Sequence, residues 1–216
     1  MAGGCRLRTE ERNFLRLVDR AVFANPFGDA RVELDRQIAG LPVSTSPEAA
    51  LEGALQAVSD RVRRLEAEHR CDIRQYDPSD RHLLETALLF DFFHRFLDRF
   101  DRFIQDQADA GNTPLKVPFA KAAFAYLMAK GFHRADVCRY FEVVYQLRRA
   151  FFFIHHSLVG SSAGMKAVRR SLWNNVFTHD LNLYNQYLWD RMEDFSTLLL
   201  GETGTGKGTA AAAIGR

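Results

Sequence analysis

The chain has 216 residues, 47% of them hydrophobic, which is enough apolar surface for a buried core and excludes a disordered chain. Its 29 Lys+Arg against 27 Asp+Glu leave a net charge of +2, so no global field favours nucleic acid or a membrane surface. Cys5, Cys71 and Cys138 lack CxxC or CxxH spacing, the N-terminal MAGGCRLRTEERNF lacks a signal-peptide core, and no apolar run could span a bilayer, so the expectation is a cytoplasmic protein without disulfides, zinc or membrane contact.

From Thr9 to about Ala24, Phe14, Leu17, Val18, Ala21 and Val22 recur at three- and four-residue steps, which predicts an amphipathic helix stopped by the NPFG of Asn25 to Gly28. The segment from Val32 to Ile38 has a weaker pattern. Ser46-Pro47-Glu48 then offers an N-cap, a proline at the first helical position and an early acid, and Leu51, Leu55, Val58, Val62 and Leu65 follow on one face of a helix ending near His69. Asp77-Pro78-Ser79-Asp80 is a second such start. The series Leu84, Leu88, Phe92, Phe96, Phe100 and Phe103 after it predicts one helix of about seven turns. GNTPLKVP from Gly111 to Pro118 breaks the pattern. A helix from about Phe119 to Lys130 ends at Gly131, and another runs from about Ala135 to His156.

Residues 1–157 therefore read as a helical bundle of five or six helices with no strand and no tandem repeat. Composition changes at Gly160-Ser161-Ser162-Ala163-Gly164. A helix from about Met165 to Val176 follows, then a turn at Thr178-His179-Asp180 and a tyrosine-rich helix to about Met192. Tyr184, Tyr187 and Trp189, interleaved with Asn182 and Asn185, suggest that this last helix buries one face. Ser196 to Leu200 is the first stretch that reads as a strand.

Gly201-Glu202-Thr203-Gly204-Thr205-Gly206-Lys207 satisfies G-x-x-x-x-G-K between that strand and an alanine-rich helix former. In such a loop the glycines let successive backbone N–H groups wrap a phosphate, the lysine neutralises the outer phosphates, and the helix beneath adds the positive end of its dipole. The hydroxyl that would reach magnesium is missing at Gly208, with Thr209 one place later. One strand makes no sheet, and only nine residues (216 − 207) follow the lysine, so the acidic residue that would hold magnesium and activate water is expected outside this stretch.

LLLGETGTGKG, preceded by LVGSSAGMKAVRRSLW at Leu158 to Trp173, resembles the opening of the AAA+ ATPase domain of sigma-54-dependent transcriptional activators. That family has a hydrophobic-Gly-x-Ser-x-x-Met-x-x-Val segment followed by a GESGTGKE loop, whose residue after the lysine is commonly glutamate, where this chain has Gly208. The resemblance covers about Leu158 to Arg216, and the stretch between Trp173 and Phe195 is longer than usual for the family. It implies ATP and Mg²⁺ as cofactors, with Gly201, Glu202, Thr203, Gly204, Thr205, Gly206, Lys207, Gly208 and Thr209 at the phosphates and Val159 and Gly160 near the adenine. It further implies a homo-oligomeric ATPase that remodels the sigma-54 RNA polymerase holoenzyme at promoter DNA through parts outside these residues. Residues 1–157 would be its helical regulatory domain, and residues 158–216 the start of an α/β ATPase domain truncated after the phosphate loop and by itself inactive. Two rival readings stay open: a helical ligand- or partner-binding module with a vestigial loop, or another P-loop NTPase.

Other patterns read more simply. Asp91-x-x-His94, with Glu85 and Asp98 nearby, has one half of the carboxylate–histidine pattern of a di-metal bundle and reads as a solvated face with Asp91–Arg95 and Asp98–Arg102 pairs. His155-His156 reads as a helix end at the presumed domain junction. The aromatic series Phe90 to Phe103 and Tyr140 to Phe153 reads as core rather than as a ligand pocket, and Arg148-Arg149 and Arg169-Arg170 are too short for a nucleic-acid patch.

Overall fold

A computed structural model describes residues 5–177, 181–191 and 197–215. Among these the architecture is helical: α1 Thr9–Phe23, α2 Asp29–Ala39, α3 Pro47–Ala67, a 3-10 turn Ile73–Gln75, α4 Pro78–Arg95, α5 Leu97–Ala110, α6 Ala120–Ala129, α7 Arg134–Ser157, α8 Ala163–Val176, a short turn α9 Leu181–Leu183 continuing into a π-helical turn Tyr184–Leu188, and α10 Lys207–Ile214. The only extended pairing among the described residues is a single bridge from Cys5 to Tyr76. No helix among them is long and apolar enough to cross a membrane.

The expected caps form. Ser46 accepts from the Ala49 N–H at 3.2 Å, and Asp77 accepts from the N–H groups of Ser79 and Asp80 at 3.1 and 3.0 Å, so α3 and α4 start with donors satisfied that a helix otherwise leaves bare. Glu11, itself buried, reaches back to the Arg8 N–H at 2.7 Å and receives the Arg70 guanidinium at 2.8 Å. That guanidinium holds the Glu11 carboxyl below the usual carboxylate range against the opposing effect of burial.

The chain forms two compact units that interleave in sequence. The first takes the chain up to Ala24, Asp29–Leu97 and Pro118–Phe141. In its core, Val18 and Ala21 of α1, Val58, Val62 and Leu65 of α3 and Leu84, Leu88 and Phe92 of α4 are buried members of the expected series, and Leu15 of α1 and Leu127 of α6, which those series omit, are buried with them. Each buried leucine, valine or phenylalanine among them contributes roughly 1.5–3 kcal/mol by leaving water. The second unit takes Asn25–Gly28, Asp98–Val117 and the chain from Glu142 on. Its core joins Ala150, Ile154 and Leu158 to Leu172, Trp173 and Phe177 of α8 and its end, to Tyr184, and to Ala210 and Ala213 of α10. Residues on both sides of Ser157 thus share one core.

Two expected helices differ. The single helix through Leu84 and Phe103 is broken at Phe96, which leaves helical geometry at φ −104° and ψ 6° and ends α4. Neither proline nor glycine causes this. The Phe96 ring lies 5.1 Å from Phe92 and 6.0 Å from Phe119, so aromatic packing of a buried side chain overrides local periodicity. The tyrosine-rich helix reaching Met192 is replaced by α9 and the wider π turn. Tyr184 there is fully buried and donates to Gln146 Oε1 at 2.6 Å. The Thr178-His179-Asp180 turn and Met192 lie outside the described residues.

Candidate phosphate-binding loop

Gly204 at φ +86° and Gly206 at φ +85° both occupy the left-handed region, and neither has another atom within 4 Å of where a Cβ would stand. Only glycine adopts such values without strain, which is why a loop made of these residues can bend twice within three positions. Gly206 ends the bend and α10 begins at Lys207. Thr205 closes the loop from within, its Oγ1 donating to the Glu202 carbonyl at 2.7 Å. Gly201 is held close behind, where a Cβ would stand 3.0 Å from Thr205 Oγ1.

Lys207 folds back over the same loop. Its Nζ donates to the Gly201 and Glu202 carbonyls at 2.8 and 2.6 Å, so the ammonium sits against exposed backbone and can exchange those two acceptors for anionic oxygens. Glu202, Thr203 and the loop glycines are exposed, as is Thr209. Gly208 is exposed with open space around it. The residues thus fit a phosphate group: small, open glycines, a lysine ammonium over the loop and the start of a helix. For magnesium the fit is poorer, because no hydroxyl stands directly after the lysine and the nearest belongs to Thr209.

The base of the loop is anchored on one side only. Ala210 and Ala213 bury one face of α10 in the core of the second unit, against the set that includes Trp173 and Phe177. On the other side, the strand expected over Ser196 to Leu200 is absent from the described part of that range. Thr197 to Leu200 pairs with no neighbouring segment; Leu198 and Leu200 are 80% and 84% exposed while Leu199 packs partly against the core. A strand needs a partner to satisfy its N–H and C=O groups, and among the described residues this segment has none. Ser196 itself lies outside them.

Val159 and Gly160 sit at the turn between α7 and α8. Val159 is 79% exposed, and Gly160 turns at φ +134°. Among the described residues no hydrogen bond joins either to the glycine-rich loop. What holds this turn is Arg169, whose guanidinium donates from Nε and Nη2 to the Leu158 carbonyl at 2.9 and 2.6 Å and from Nη2 to the Gly160 carbonyl at 2.5 Å. The sequence reading treats Arg169 only as part of a short basic pair and misses this clamp. Capping and periodicity give no signal for such a back-bonded arginine.

Two further features lay outside the sequence reading, and a third corrects it. Phe27, from the helix-stopping NPFG, stacks on Phe151 at 5.0 Å between centroids and meets Trp173 edge-on at 6.1 Å. Asn25 Nδ2 donates to the Arg170 carbonyl and to Asn174 Oδ1, at 2.9 and 2.7 Å. The supposed surface residue Asp91 is buried, with a side chain only 6% exposed. His155 and His156 do end α7 as read: His156 Nδ1 lies 2.7 Å from the Phe152 carbonyl, and partial desolvation, then the neighbouring His156, lowers the His155 pKa. Among the described residues no cluster of His, Cys, Asp or Glu is arranged to hold a metal ion. No protein-family model, no curated protein and no solved structure matches the chain.

Proposed function

We propose that Gly201 to Thr209 is the phosphate-binding loop of an ATP-binding transcriptional regulator of the sigma-54-activator type. The observation that carries the reading is the loop itself: two left-handed glycines, a lysine ammonium folded onto the Gly201 and Glu202 carbonyls, and a helix starting at that lysine. On this reading Lys207 leaves the carbonyls to meet the outer phosphates of ATP, and Thr209 offers the hydroxyl nearest to a magnesium ion. Val159 and Gly160 lie toward the adenine, residues 1–157 are the regulatory region and residues 158–216 the start of the ATPase domain. The whole cytoplasmic protein, as a homo-oligomer, uses ATP hydrolysis to remodel the sigma-54 RNA polymerase holoenzyme at promoter DNA.

The test is titration of the chain with a fluorescent ATP analogue. Saturable binding is expected, with Lys207→Ala weakening it roughly 10- to 100-fold, since a charge-assisted contact is lost. Absence of saturable binding to the unaltered chain, or equal binding by Lys207→Ala, refutes the assignment. Another P-loop NTPase would share this loop, so the sigma-54 element of the proposal rests on the Leu158 to Trp173 resemblance. A second reading, a helical binding module whose loop has no nucleotide role, is favoured by the missing hydroxyl at Gly208 and the unpaired Thr197 to Leu200 segment.

A further inference from the structure

The first unit holds an open cleft of about 370 Å³ along α3 and α4, within the size range of small-molecule sites. Leu55, Val58 and Phe90 give it an apolar wall, and Glu52 and Asp91 give it carboxylates. Asp91 is the unusual member, a carboxylate with a side chain 6% exposed inside a phenylalanine-rich helix. All its intramolecular bonds converge on Oδ2, which accepts from Tyr126 OH at 2.6 Å and from Arg95 Nε and Nη2 at 3.2 Å each. Oδ1 has no hydrogen-bond partner among the described residues and is not sealed from solvent, since the buried donorless side-chain atom among them is Asp19 Oδ1, so a donor entering the cleft can reach it.

Charge decides which guest fits. Arg95 is already engaged twice, by Asp91 Oδ2 and by the Tyr126 ring 5.1 Å from its guanidinium carbon, so it is poorly placed to take up an anion. Glu52 is exposed at the cleft and unpaired by any cation among the described residues, which adds a second negative group. We infer that this cleft binds a small amphipathic amine, its ammonium donating to Asp91 Oδ1 with Glu52 nearby and its apolar body lying on Leu55, Val58 and Phe90. The network that fixes Asp91 extends further: Lys130, buried and paired with Glu66, lies 5.3 Å from the centre of the same Tyr126 ring. A guest at Oδ1 therefore acts on groups that join α3, α4 and α6. The inference is independent of the phosphate loop and needs no nucleotide.

The experiment is calorimetric titration of the full chain with phenethylammonium chloride, with sodium phenylacetate as the probe of similar shape and opposite charge. Saturable binding of the amine and none of the carboxylate is expected. Asp91→Asn is expected to weaken the amine about tenfold or more, and Glu52→Gln by about two- to fivefold, the larger loss belonging to the buried group. If Asp91→Asn does not fold, Leu55→Trp decides in its place, because filling the cleft should abolish binding while leaving the helical circular dichroism unchanged. The inference is overturned if the unaltered chain does not bind the amine, if phenylacetate binds as well, or if either folded Asp91→Asn or Leu55→Trp retains full affinity.

Discussion

Replacing Gly131 by alanine should destabilise the first unit more than the same change at Gly40, although both glycines have positive φ. Gly131 follows α6 at φ +86°, and a Cβ there would stand 2.1 Å from Asp72 Oδ1 and 3.1 Å from Arg74 Nε. Two costs add. The left-handed conformation costs an L-residue roughly 1–2 kcal/mol. Moving Asp72 then disturbs the start of the 3-10 turn, where its Oδ1 accepts from the Arg74 N–H at 3.0 Å, and a lost cap of this kind costs about 1 kcal/mol. The accompanying ion pair with Arg74 adds nothing to these two, because that side chain is 72% exposed. The total is roughly 2–3 kcal/mol. At Gly40, with φ +66° and nothing within 4 Å, only the first cost applies, so about 1–2 kcal/mol is expected. Urea unfolding followed by circular dichroism measures both, with midpoints compared at unchanged slope. A Gly131→Ala loss equal to or smaller than that of Gly40→Ala would refute the steric argument.

The remaining predictions concern charge, reactivity and local order. Asp80, fully buried, accepts from Arg12 Nε and Nη2 at 2.8 Å and from the Leu7 N–H at 3.0 Å, and the Arg12 contact holds its pKa below the ordinary 3.8. Its contribution is therefore present above 3.8 and lost as pH falls through the depressed value, and Asp80→Asn should flatten that acid limb in an unfolding series against pH. At neutral pH Asp80→Ala should cost about 2–3 kcal/mol by urea unfolding, below the full cost of breaking a buried pair because Arg12 keeps 32% of its side chain exposed; no loss would remove the pair from the account. Burial, then the Asp91 and Asp72 carboxylates, pushes the Cys71 thiol up to about 12, whereas Cys138 is exposed. Iodoacetamide at about pH 8 should label Cys138 in the native chain and Cys71 only after unfolding, and early labelling of Cys71 by mass spectrometry would contradict this. Amide exchange at Leu198 to Leu200 should be as fast as in an unpaired peptide, and protection like that of α3 would show that a partner covers the segment.

Much of the helical layout was legible because it is local. Ser46 and Asp77 cap the helices they precede, Gly131 ends α6 in the left-handed conformation, and Val18, Ala21, Val58, Val62 and Leu65 of the expected stripes are buried, while Phe14, Leu17, Val22, Leu51 and Leu55 are half-buried. The bends of the glycine-rich loop were legible for the same reason: Gly204 and Gly206 alone permit them. The break at Phe96 was not, since the helical period continues unbroken through it and the cause is a set of rings far away in sequence, at Phe119 and Tyr126. Asp91 was misread as surface because its i to i+4 partner Arg95 is what a solvated face would show, while the Tyr126 hydroxyl that donates to the same carboxylate oxygen comes from α6.

By itself the sequence determined where helices start, which faces are apolar and where the backbone must turn through glycine, because capping, periodicity and φ preference act within a few residues. The tertiary structure alone decided which stripes meet, that Arg169 clamps the turn before α8, that Phe27 stacks on Phe151, and that Lys207 rests on the Gly201 and Glu202 carbonyls. The meeting of stripes and the Phe27–Phe151 stack join groups far apart in the chain, and the Arg169 and Lys207 contacts, though local, depend on how the intervening turn and loop fold. No spacing in the chain encodes it.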